Sequence, residues 1–227
     1  MSSSVLLLFD IDGTLGGHPI EGVDAFKLAY KEVFSREFPA SLGSFAGKTD
    51  LGILQEVGLA HGGAVDQSRI EVFFSAYHRI YSDRIKASPF ILFEGAVDLI
   101  ERLFCQKGIE LGLVTGNIQR CARLKLSSGP IDHCFEFGGF GDEHHCRNEL
   151  AKLAFSRALK RLERRTHYEK VILVGDTPKD IEAAKAIEAT SIGYVNQRYD
   201  EDALLQSGAD QLVRSIRDLE TVLGSWI

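Results

Sequence analysis

The chain opens with a short apolar run that ends in two aspartates, and this feature constrains the fold more than any other. Val5 to Phe9 are five consecutive apolar residues, and Asp10-Ile11-Asp12-Gly13-Thr14-Leu15 follows them. Such a run is typical of a strand buried on both faces. Because side chains i and i+2 of a strand share a face, Asp10 and Asp12 would emerge together at its carboxyl end. Neighbouring carboxylates repel each other, so we expect a bound cation or a chemical role for the pair.

Two later stretches repeat this pattern of an apolar strand followed by polar residues. Leu111–Val114 leads into Thr115-Gly116-Asn117, where a hydroxyl and backbone N–H groups could bind phosphate oxygens, although such a turn is also a common helix start. Val171–Val174 leads into Gly175-Asp176-Thr177-Pro178-Lys179-Asp180. Asp180 could serve merely as an acid in the first turn of a helix, whereas Asp176 lies directly at the strand end.

Taken in order, the three stretches resemble the first, second and fourth motifs of the haloacid dehalogenase-like (HAD) superfamily. Most of its members are phosphotransferases that form an aspartyl-phosphate. The resemblance implies that Asp10 is the nucleophile and Asp12 the general acid and base. It also implies that Thr115, Gly116 and Asn117 bind the phosphoryl group. Mg²⁺ would be held by the carboxylates of Asp10 and Asp176 and the backbone carbonyl of Asp12, with Asp180 in support.

The third family motif is a single basic residue, for which the sequence offers three candidates. Arg147, at the start of a predicted helix, is the best match; its guanidinium would offset charge at the phosphorylated Asp10 and could pair with Asp180. Lys125 and Lys152 are the rivals, and an ordinary solvated arginine is the alternative for Arg147.

Helical periodicity dominates the chain between the first two motifs, after a turn at Gly16-Gly17-His18-Pro19. Segments near 21–36, 48–60 and 66–87 carry apolar residues at three- and four-residue spacing. Phe45-Ala46-Gly47-Lys48-Thr49-Asp50 interrupts them and resembles the substrate-specificity loop of HAD caps, in which Lys48 or Thr49 could contact the substrate. Thr49 or Asp50 could equally cap a helix.

Strand and helix alternate after residue 89, which predicts an α/β fold with a parallel, doubly wound sheet. We expect a Rossmann-like core of residues 1–15 and 89–227 with helices on both faces, and an inserted α-helical cap of residues 16–88. The predicted core elements are strands at Glu110–Val114, Val171–Val174, Thr190–Val195 and Gln211–Val213, and helices at Glu94–Lys107, Gln119–Leu126, Asn148–Leu162, Lys179–Ile187, Asp202–Gln206 and Ile216–Leu223.

Composition excludes several classes of protein. The 227 residues carry a net charge of −6, which offers no footprint for nucleic acid or an anionic membrane. No apolar run reaches transmembrane length, and the start lacks the basic region of a signal peptide. Four scattered cysteines indicate reduced thiols and hence a cytoplasmic protein. His144 and His145 suggest zinc, but adjacent residues rarely converge on one ion, so we expect a polar loop.

The function predicted is a magnesium-dependent phosphomonoester hydrolase acting on a small phosphorylated metabolite through an aspartyl-phosphate. Asp12 and Asp176 argue against a dehalogenase. A phosphonatase would need a Schiff-base lysine, for which Lys48 is the candidate, and a phosphomutase relative would carry a histidine where Gly22 stands. A non-catalytic binding module is the alternative from another class. The identity of the substrate and the oligomeric state stay open.

Overall fold

A parallel sheet forms the centre of the molecule in the computed structural model, which describes residues 4–17, 21–162, 167–196 and 200–225. His18 and Pro19 of the predicted turn lie outside these residues. The elements in chain order are β1 (Val5–Phe9), β2 (Gly16–Gly17), α1 (Glu21–Phe34), α2 (Asp50–Ala60), α3 (Gln67–Ala87), β3 (Ile91–Leu92), α4 (Ala96–Cys105), β4 (Ile109–Val114), α5 (Gln119–Leu126), β5 (Phe137–Gly139), α6 (Arg147–Leu159), β6 (Lys170–Gly175), α7 (Pro178–Lys185), β7 (Thr190–Tyr194), α8 (Glu201–Gln206), β8 (Gln211–Val213) and α9 (Ile216–Gly224).

Within the described residues the sheet has six strands in the order β5-β4-β1-β6-β7-β8, and all neighbouring strands are parallel. β1 lies between β4 and β6, with Leu7 opposite Leu111 on one side and Ile172 on the other. Side chains of β1 alternate between the two faces because of the strand period. Val5, Leu7 and Phe9 pack with α4 and α9, whereas Leu6 and Leu8 pack with α6 and α7. The predicted α/β class, with helices on both faces of a parallel sheet, is confirmed.

Helices α1, α2 and α3 form a separate apolar cluster between β2 and β3. Its largest buried side chains are aromatic: Tyr30, Phe26, Phe73, Tyr77 and Tyr81. Ile118 and Cys121, at α5, belong to the same cluster. The three helices predicted from periodicity are therefore present, and their apolar faces are buried against one another and against α5.

Strand β2 precedes these three helices in the chain and β3 follows them, and the two strands form an antiparallel pair. Gly16 lies opposite Leu92 and Gly17 opposite Ile91. A Cβ on Gly16 would come within 2.5 Å of the Ile91 carbonyl oxygen, so this position requires glycine. The division into a core and a cap stays a prediction; two glycines assigned to the cap pair here with residues assigned to the core.

Several details of the core differ from the sequence prediction: strand β3 was not predicted, and α6 ends at Leu159 rather than at Leu162. Strand β5 was not predicted, because three residues with two glycines carry too little apolar pattern. Helix α4 is shorter than predicted at both ends: Gly95 precedes it with a φ of 82°, and Gly108 follows with a φ of 91°, both in the left-handed region.

The structure contains neither a disulfide nor a membrane-spanning helix within the described residues. All four cysteines are free thiols. Among the helices in the described ranges, none combines the length and apolar character needed to cross a bilayer.

Candidate active site

The predicted site residues lie where three neighbouring strands end. Asp10 follows β1, Thr115 follows β4 and Asp176 follows β6, and β1 is hydrogen-bonded to both other strands. The carboxyl ends of adjacent parallel strands lie at one edge of a sheet, and this edge is the usual position of ligand sites in such folds. Topology thus brings Asp10 close to residues that are distant from it along the chain.

Three carboxylates are crowded at this edge. Oxygen atoms of Asp10, Asp176 and Asp180 all lie within 4.8 Å of one another, and the three side chains are buried. Burial, together with the charges of Asp180 and Asp12, raises the pKa of Asp10 to about 7 against the opposing charge of Arg147. Burial and the charges of Asp10 and Asp180 raise the pKa of Asp176 to about 8. Without a cation, ionising all three groups is therefore costly.

The donor set fits a hard divalent cation. Oδ2 of Asp176 accepts a 2.7 Å hydrogen bond from Asn196, whereas Oδ1 of Asp176 is buried without a hydrogen-bond partner in the described structure. Gly13, with a φ of 89°, leaves the space beside this carboxylate open, since a Cβ there would lie 2.2 Å from Asp176 Oδ2. Oxygen ligands with negative charge are those that Mg²⁺ prefers, and a cation among them would favour their ionised forms.

Arg147 is the basic residue that contacts this trio. Its guanidinium lies 2.5 Å from Asp10 Oδ1 and 2.7 Å from Asp180 Oδ1, and it donates to the carbonyl of Val114. Burial opposes its charge, but the two carboxylates outweigh burial and raise the pKa of Arg147. Asp180 also accepts from the backbone N–H of Thr177 and so completes a capping box at the start of α7. The Asp180 carboxylate therefore stabilises the start of α7 and also positions Arg147.

Asp12 faces a different set of partners. Lys125 Nζ lies 2.7 Å from both carboxylate oxygens of Asp12, and Asn117 donates to Oδ2 at 2.6 Å. Lys125 donates in turn to the side-chain carbonyl of Asn117 at 2.7 Å. Burial acts to raise the pKa of Asp12, but the charge and hydrogen bonds of Lys125 and the bond from Asn117 outweigh it and lower that pKa. Asp12 is therefore held in its ionised form.

The predicted phosphate-binding residues divide into two layers. Gly116, Asn117 and Arg147 line the cavity above the carboxylates. Thr115 is fully buried and is not among the lining residues; its hydroxyl accepts from the side chain of Asn117 at 2.8 Å. Thr115 therefore orients Asn117 in this arrangement.

The segment from Gly47 to Gly52 lies against the core on both sides of the site. A Cβ on Gly47 would come within 3.1 Å of the Thr177 hydroxyl, and a Cβ on Gly116 would lie 2.1 Å from the carbonyl oxygen of Lys48. Lys48 lines the cavity, and its amine is paired with Glu56 at 2.5 Å. The absence of side chains at these glycines permits the close approach.

Thr49 and Asp50 hold this segment in place. Thr49 is 1% exposed and caps α2 by accepting from Gly52 N, so it is a helix cap and does not line the cavity as a substrate contact would. Asp50 Oδ2 accepts a 2.8 Å bond from the backbone N–H of Ile118, and the Asp50 N–H donates to the Gly116 carbonyl. Asp50 thus joins the start of α2 to the turn that carries Asn117.

The other residues considered from the sequence are Lys152, His144 and His145. They do not line the cavity, and each contacts neighbouring residues instead. Lys152 is exposed and paired with Glu149 at 2.8 Å. The rings of His144 and His145 stack on each other, and His144 Nδ1 accepts from Cys146 N. Among the described residues the only cluster with metal-ligand geometry is the Asp10, Asp176 and Asp180 trio, so the histidines form no such cluster. That this loop is a polar loop rather than a zinc site stays a prediction.

Two residues of the site were not predicted. Asn196 lies just after β7 and binds Asp176, and the signal that could have identified it is its position at another strand end. Asp50 was considered only as a helix cap, because its partner Ile118 is 68 positions away and no local pattern connects them. Lys125 was predicted as a rival of Arg147; the structure gives each of them its own aspartate.

Comparison with known proteins agrees with this geometry. The family model of haloacid dehalogenase-like hydrolases matches residues 7–194, most of the chain. The chain belongs to the haloacid dehalogenase-like hydrolase family. The resemblance inferred from the three motifs is confirmed, and this HAD protein is an enzyme of a hydrolase family.

Individual relatives are distant in sequence but match almost the full length of the chain. Pyrophosphatase PpaX of Listeria monocytogenes is 23% identical over 223 residues, covering 96% of this chain and 95% of the relative. A hydrolase from Pseudomonas syringae has a TM-score of 0.72 at 22% identity, with 99% of both chains covered. A predicted phosphatase from Clostridium acetobutylicum has a TM-score of 0.70 at 20% identity, covering 99% of this chain and 100% of the other. At these identities the two structures establish the fold.

Proposed function

We propose that this HAD protein is a magnesium-dependent phosphomonoesterase that acts on a small phosphorylated metabolite in the cytoplasm. The observation that carries the proposal is the trio Asp10, Asp176 and Asp180, crowded within 4.8 Å and including an unpartnered Asp176 oxygen. Next to it, Asp12 offers a second carboxylate that is held ionised by Lys125. A cation site beside two carboxylates with different environments suits phosphoryl transfer to and from an aspartate.

The nucleophile in this proposal is Asp10. Its carboxylate attacks the phosphorus atom of the ester, the P–O bond to the alcohol breaks, and an aspartyl-phosphate forms. Mg²⁺, bound by the carboxylates of Asp10 and Asp176 and the backbone carbonyl of Asp12, would supply charge neutralisation for the phosphoryl oxygens. Arg147 adds positive charge beside Asp10, and the N–H groups of Gly116 and Asn117 add donors at the start of α5.

Asp12 is the proposed acid and base. It gives its proton to the leaving alcohol and then takes a proton from the water that attacks the aspartyl-phosphate, which releases phosphate and restores Asp10. The ionised form that Lys125 favours is the one needed for the second step. The first step requires protonated Asp12. The hydrogen bonds from Lys125 and Asn117 to the Asp12 carboxylate must therefore weaken when substrate binds.

Structural observations disfavour the alternatives. Lys48, the candidate for a Schiff-base amine, is paired with Glu56. Gly22 lines the cavity where a mutase relative would carry a histidine, and it has no side chain with which to move a proton. Asp10, Asp12 and Asp176 are all retained, which argues against a binding module that has lost its catalytic groups.

The proposed function can be tested by measuring phosphate release from a panel of phosphate esters with Mg²⁺. We expect release that stops with EDTA and in Asp10→Asn, and that continues in the matched control Asp83→Asn, an exposed aspartate paired with Lys86. Acid quenching during turnover should trap a phosphorylated protein in the control and not in Asp10→Asn. Turnover by Asp10→Asn at the wild-type rate would rule out the aspartyl-phosphate.

A further inference from the structure

The cavity above the carboxylates is larger than a small polar ester needs. Its volume is about 1160 Å³, and it extends from Asp10 and Asp176 to α1 and to the loop before α2. Pockets of roughly 300–1,000 Å³ hold drug-sized ligands. The segment of Gly47 to Gly52 is already seated against the core, so the volume is not that of a site with this segment withdrawn. The cavity therefore has room for a sizeable leaving group.

One wall of the cavity is aromatic. Phe38 and Phe45 are half-buried, line the cavity and lie 5.4 Å apart with their planes tilted by 31°. Buried Phe26 supports both rings edge-on, at 6.1 Å from Phe38 and 5.5 Å from Phe45. Packed rings of this kind lose little conformational entropy on binding a ligand. They form a fixed apolar surface that is partly open to the cavity.

A second aromatic pair lines the cavity from the sheet side. Phe93 and Tyr194 stack at 5.6 Å with an interplanar angle of 16°, and both are lining residues. Tyr194 ends β7, two residues before Asn196, which binds the carboxylate of Asp176. The second pair therefore lies at the end of the strand that neighbours β6, and Asn196 connects this strand end to Asp176 of the proposed cation site.

The outer cations of the cavity are largely neutralised. Three of them are ion-paired: Lys31 with Glu37, Lys48 with Glu56 and Arg214 with Glu201. Lys27 is the further one, and its amine lies 5.8 Å from the centre of the Phe38 ring. A second phosphate group needs several available donors. The outer cavity is therefore better suited to an apolar group than to a second phosphate.

We infer that the substrate is a phosphate monoester whose alcohol carries a planar aromatic group, bound against the Phe38–Phe45 and Phe93–Tyr194 pairs. The inference rests on the proposed function, because it identifies the leaving group of that reaction. Rings are recognised by stacking and edge-to-face contacts, and Lys27 can add an attraction to the ring face.

The direct test compares kcat/KM for three esters of primary alcohols, 2-phenylethyl, 2-cyclohexylethyl and ethyl phosphate, together with inorganic pyrophosphate. The leaving alcohols have similar basicity, so differences among the esters report binding of the ring. We expect 2-phenylethyl phosphate to exceed ethyl phosphate by at least about tenfold and the cyclohexyl ester by about twofold to tenfold. Equal values for the three esters, or preference for pyrophosphate, would overturn the inference.

Variants then assign the preference to the rings. Phe38→Leu and Phe45→Leu should each reduce the ratio of 2-phenylethyl to ethyl phosphate kcat/KM by about threefold or more. The matched control is Phe104→Leu, whose side chain is exposed on α4 and does not line the cavity, and its ratio should stay unchanged. Thermal unfolding confirms that each variant is folded. An unchanged ratio in both cavity variants contradicts the assignment.

A binding measurement separates this inference from the proposed function. Calorimetric titration with 2-phenylethylphosphonate and ethylphosphonate, which cannot be hydrolysed at a P–O ester bond, should show at least about tenfold tighter binding of the aromatic compound. If no ester is hydrolysed but this difference holds, the proposed function fails and the aromatic pocket stands. If esters are hydrolysed but the two phosphonates bind equally, the pocket fails and the function stands.

Discussion

At the scale of single residues, the two basic side chains of the site have separate tasks. Arg147 pairs with Asp10 and Asp180, whereas Lys125 pairs with Asp12. The pKa of Asp10 is raised to about 7 because burial outweighs Arg147, while the pKa of Asp12 is lowered because Lys125 and Asn117 outweigh burial. Two aspartates that are two positions apart thus differ in their affinity for protons, because each one faces a different set of neighbours.

The charge of Lys125 should set the acid limb of the pH–rate profile. Lys125→Met removes the positive charge and two hydrogen bonds from Asp12, so the pKa of Asp12 rises and its basic form appears only at higher pH. We expect the acid limb of kcat to move upward by about 1–3 pH units. Lys152→Met, which alters an exposed lysine paired with Glu149, is the control. An acid limb that stays in place would mean that Asp12 is not the base.

Arg147 should matter for stability as well as for chemistry. Its side chain is 5% exposed, and Arg147→Met would leave two buried carboxylates without their cation. We expect a loss of about 3–5 kcal/mol in the free energy of unfolding, measured with urea in EDTA. Arg79→Met, which breaks an exposed pair with Glu32, should cost at most about 1 kcal/mol. Similar losses in the two variants would contradict the role assigned to the buried pair.

At the scale of secondary-structure elements, Asp50 connects α2 to α5. Its carboxylate accepts from the N–H of Ile118, one residue before α5, and Asn117 of the same turn binds Asp12. Asp50→Ala leaves the Ile118 N–H buried without this acceptor, so we expect a loss of about 1–3 kcal/mol in the free energy of unfolding. Asp50→Asn retains an acceptor oxygen and should lose less. Equal losses would show that the hydrogen bond contributes nothing.

The same residue predicts a pH dependence of stability. Burial raises the pKa of Asp50 to about 7 against the Ile118 hydrogen bond and Lys125, with Asp12 and Asp142 adding to the rise. Because this pKa exceeds the unfolded value of about 3.8, the folded state binds the extra proton. The stability of wild type relative to Asp50→Asn should therefore fall as pH rises from about 4 to about 7. Urea unfolding at several pH values measures the difference; a flat difference contradicts it.

Features that depend on neighbouring residues in the sequence were predicted well, whereas features that depend on contacts between distant residues were not. Apolar runs and helical spacing are local, so β1, β6 and α5 were predicted close to their observed bounds. Strand β5 has too few residues for a pattern. Contacts such as Asp50 with Ile118 depend on how helices pack, which local patterns do not encode. The residues at the ends of β1, β4 and β6 were predicted because a local motif marks each of them and the parallel topology brings these strand ends together.

At the scale of the whole molecule, the crowded carboxylates of the site lower the free energy of unfolding when no cation is bound. Asp10, Asp176 and Asp180 are buried where the central strands β1 and β6 end and α7 begins. Their mutual repulsion and loss of hydration disfavour folding in the absence of a cation, and Arg147 offsets only part of the charge. A ligand that binds only the folded state stabilises it by mass action. Metal binding and folding should therefore be linked.

Asp176→Asn tests this linkage, because it should change stability with opposite signs in two conditions. In EDTA the variant lacks one crowded carboxylate, and its amide can still accept from Asn196 through one atom while the other donates to Asp10 or Asp180. We expect its melting temperature in EDTA to equal or exceed that of wild type. Saturating Mg²⁺ should raise the wild-type melting temperature, corresponding to about 2.7 kcal/mol at one hundred times the dissociation constant, and raise that of the variant much less.

The paired measurement distinguishes a cation site from an ordinary buried aspartate. If Asp176 only stabilised the fold through Asn196, the variant would melt lower in both conditions and Mg²⁺ would shift both proteins equally. Asp98→Asn, at an acid in the first turn of α4 rather than in the trio, is the control and should respond to Mg²⁺ as wild type does. A lower melting temperature in EDTA together with an unchanged Mg²⁺ response would place the cation elsewhere. The expected reversal of sign arises only if the same carboxylate destabilises the empty site and binds the ion.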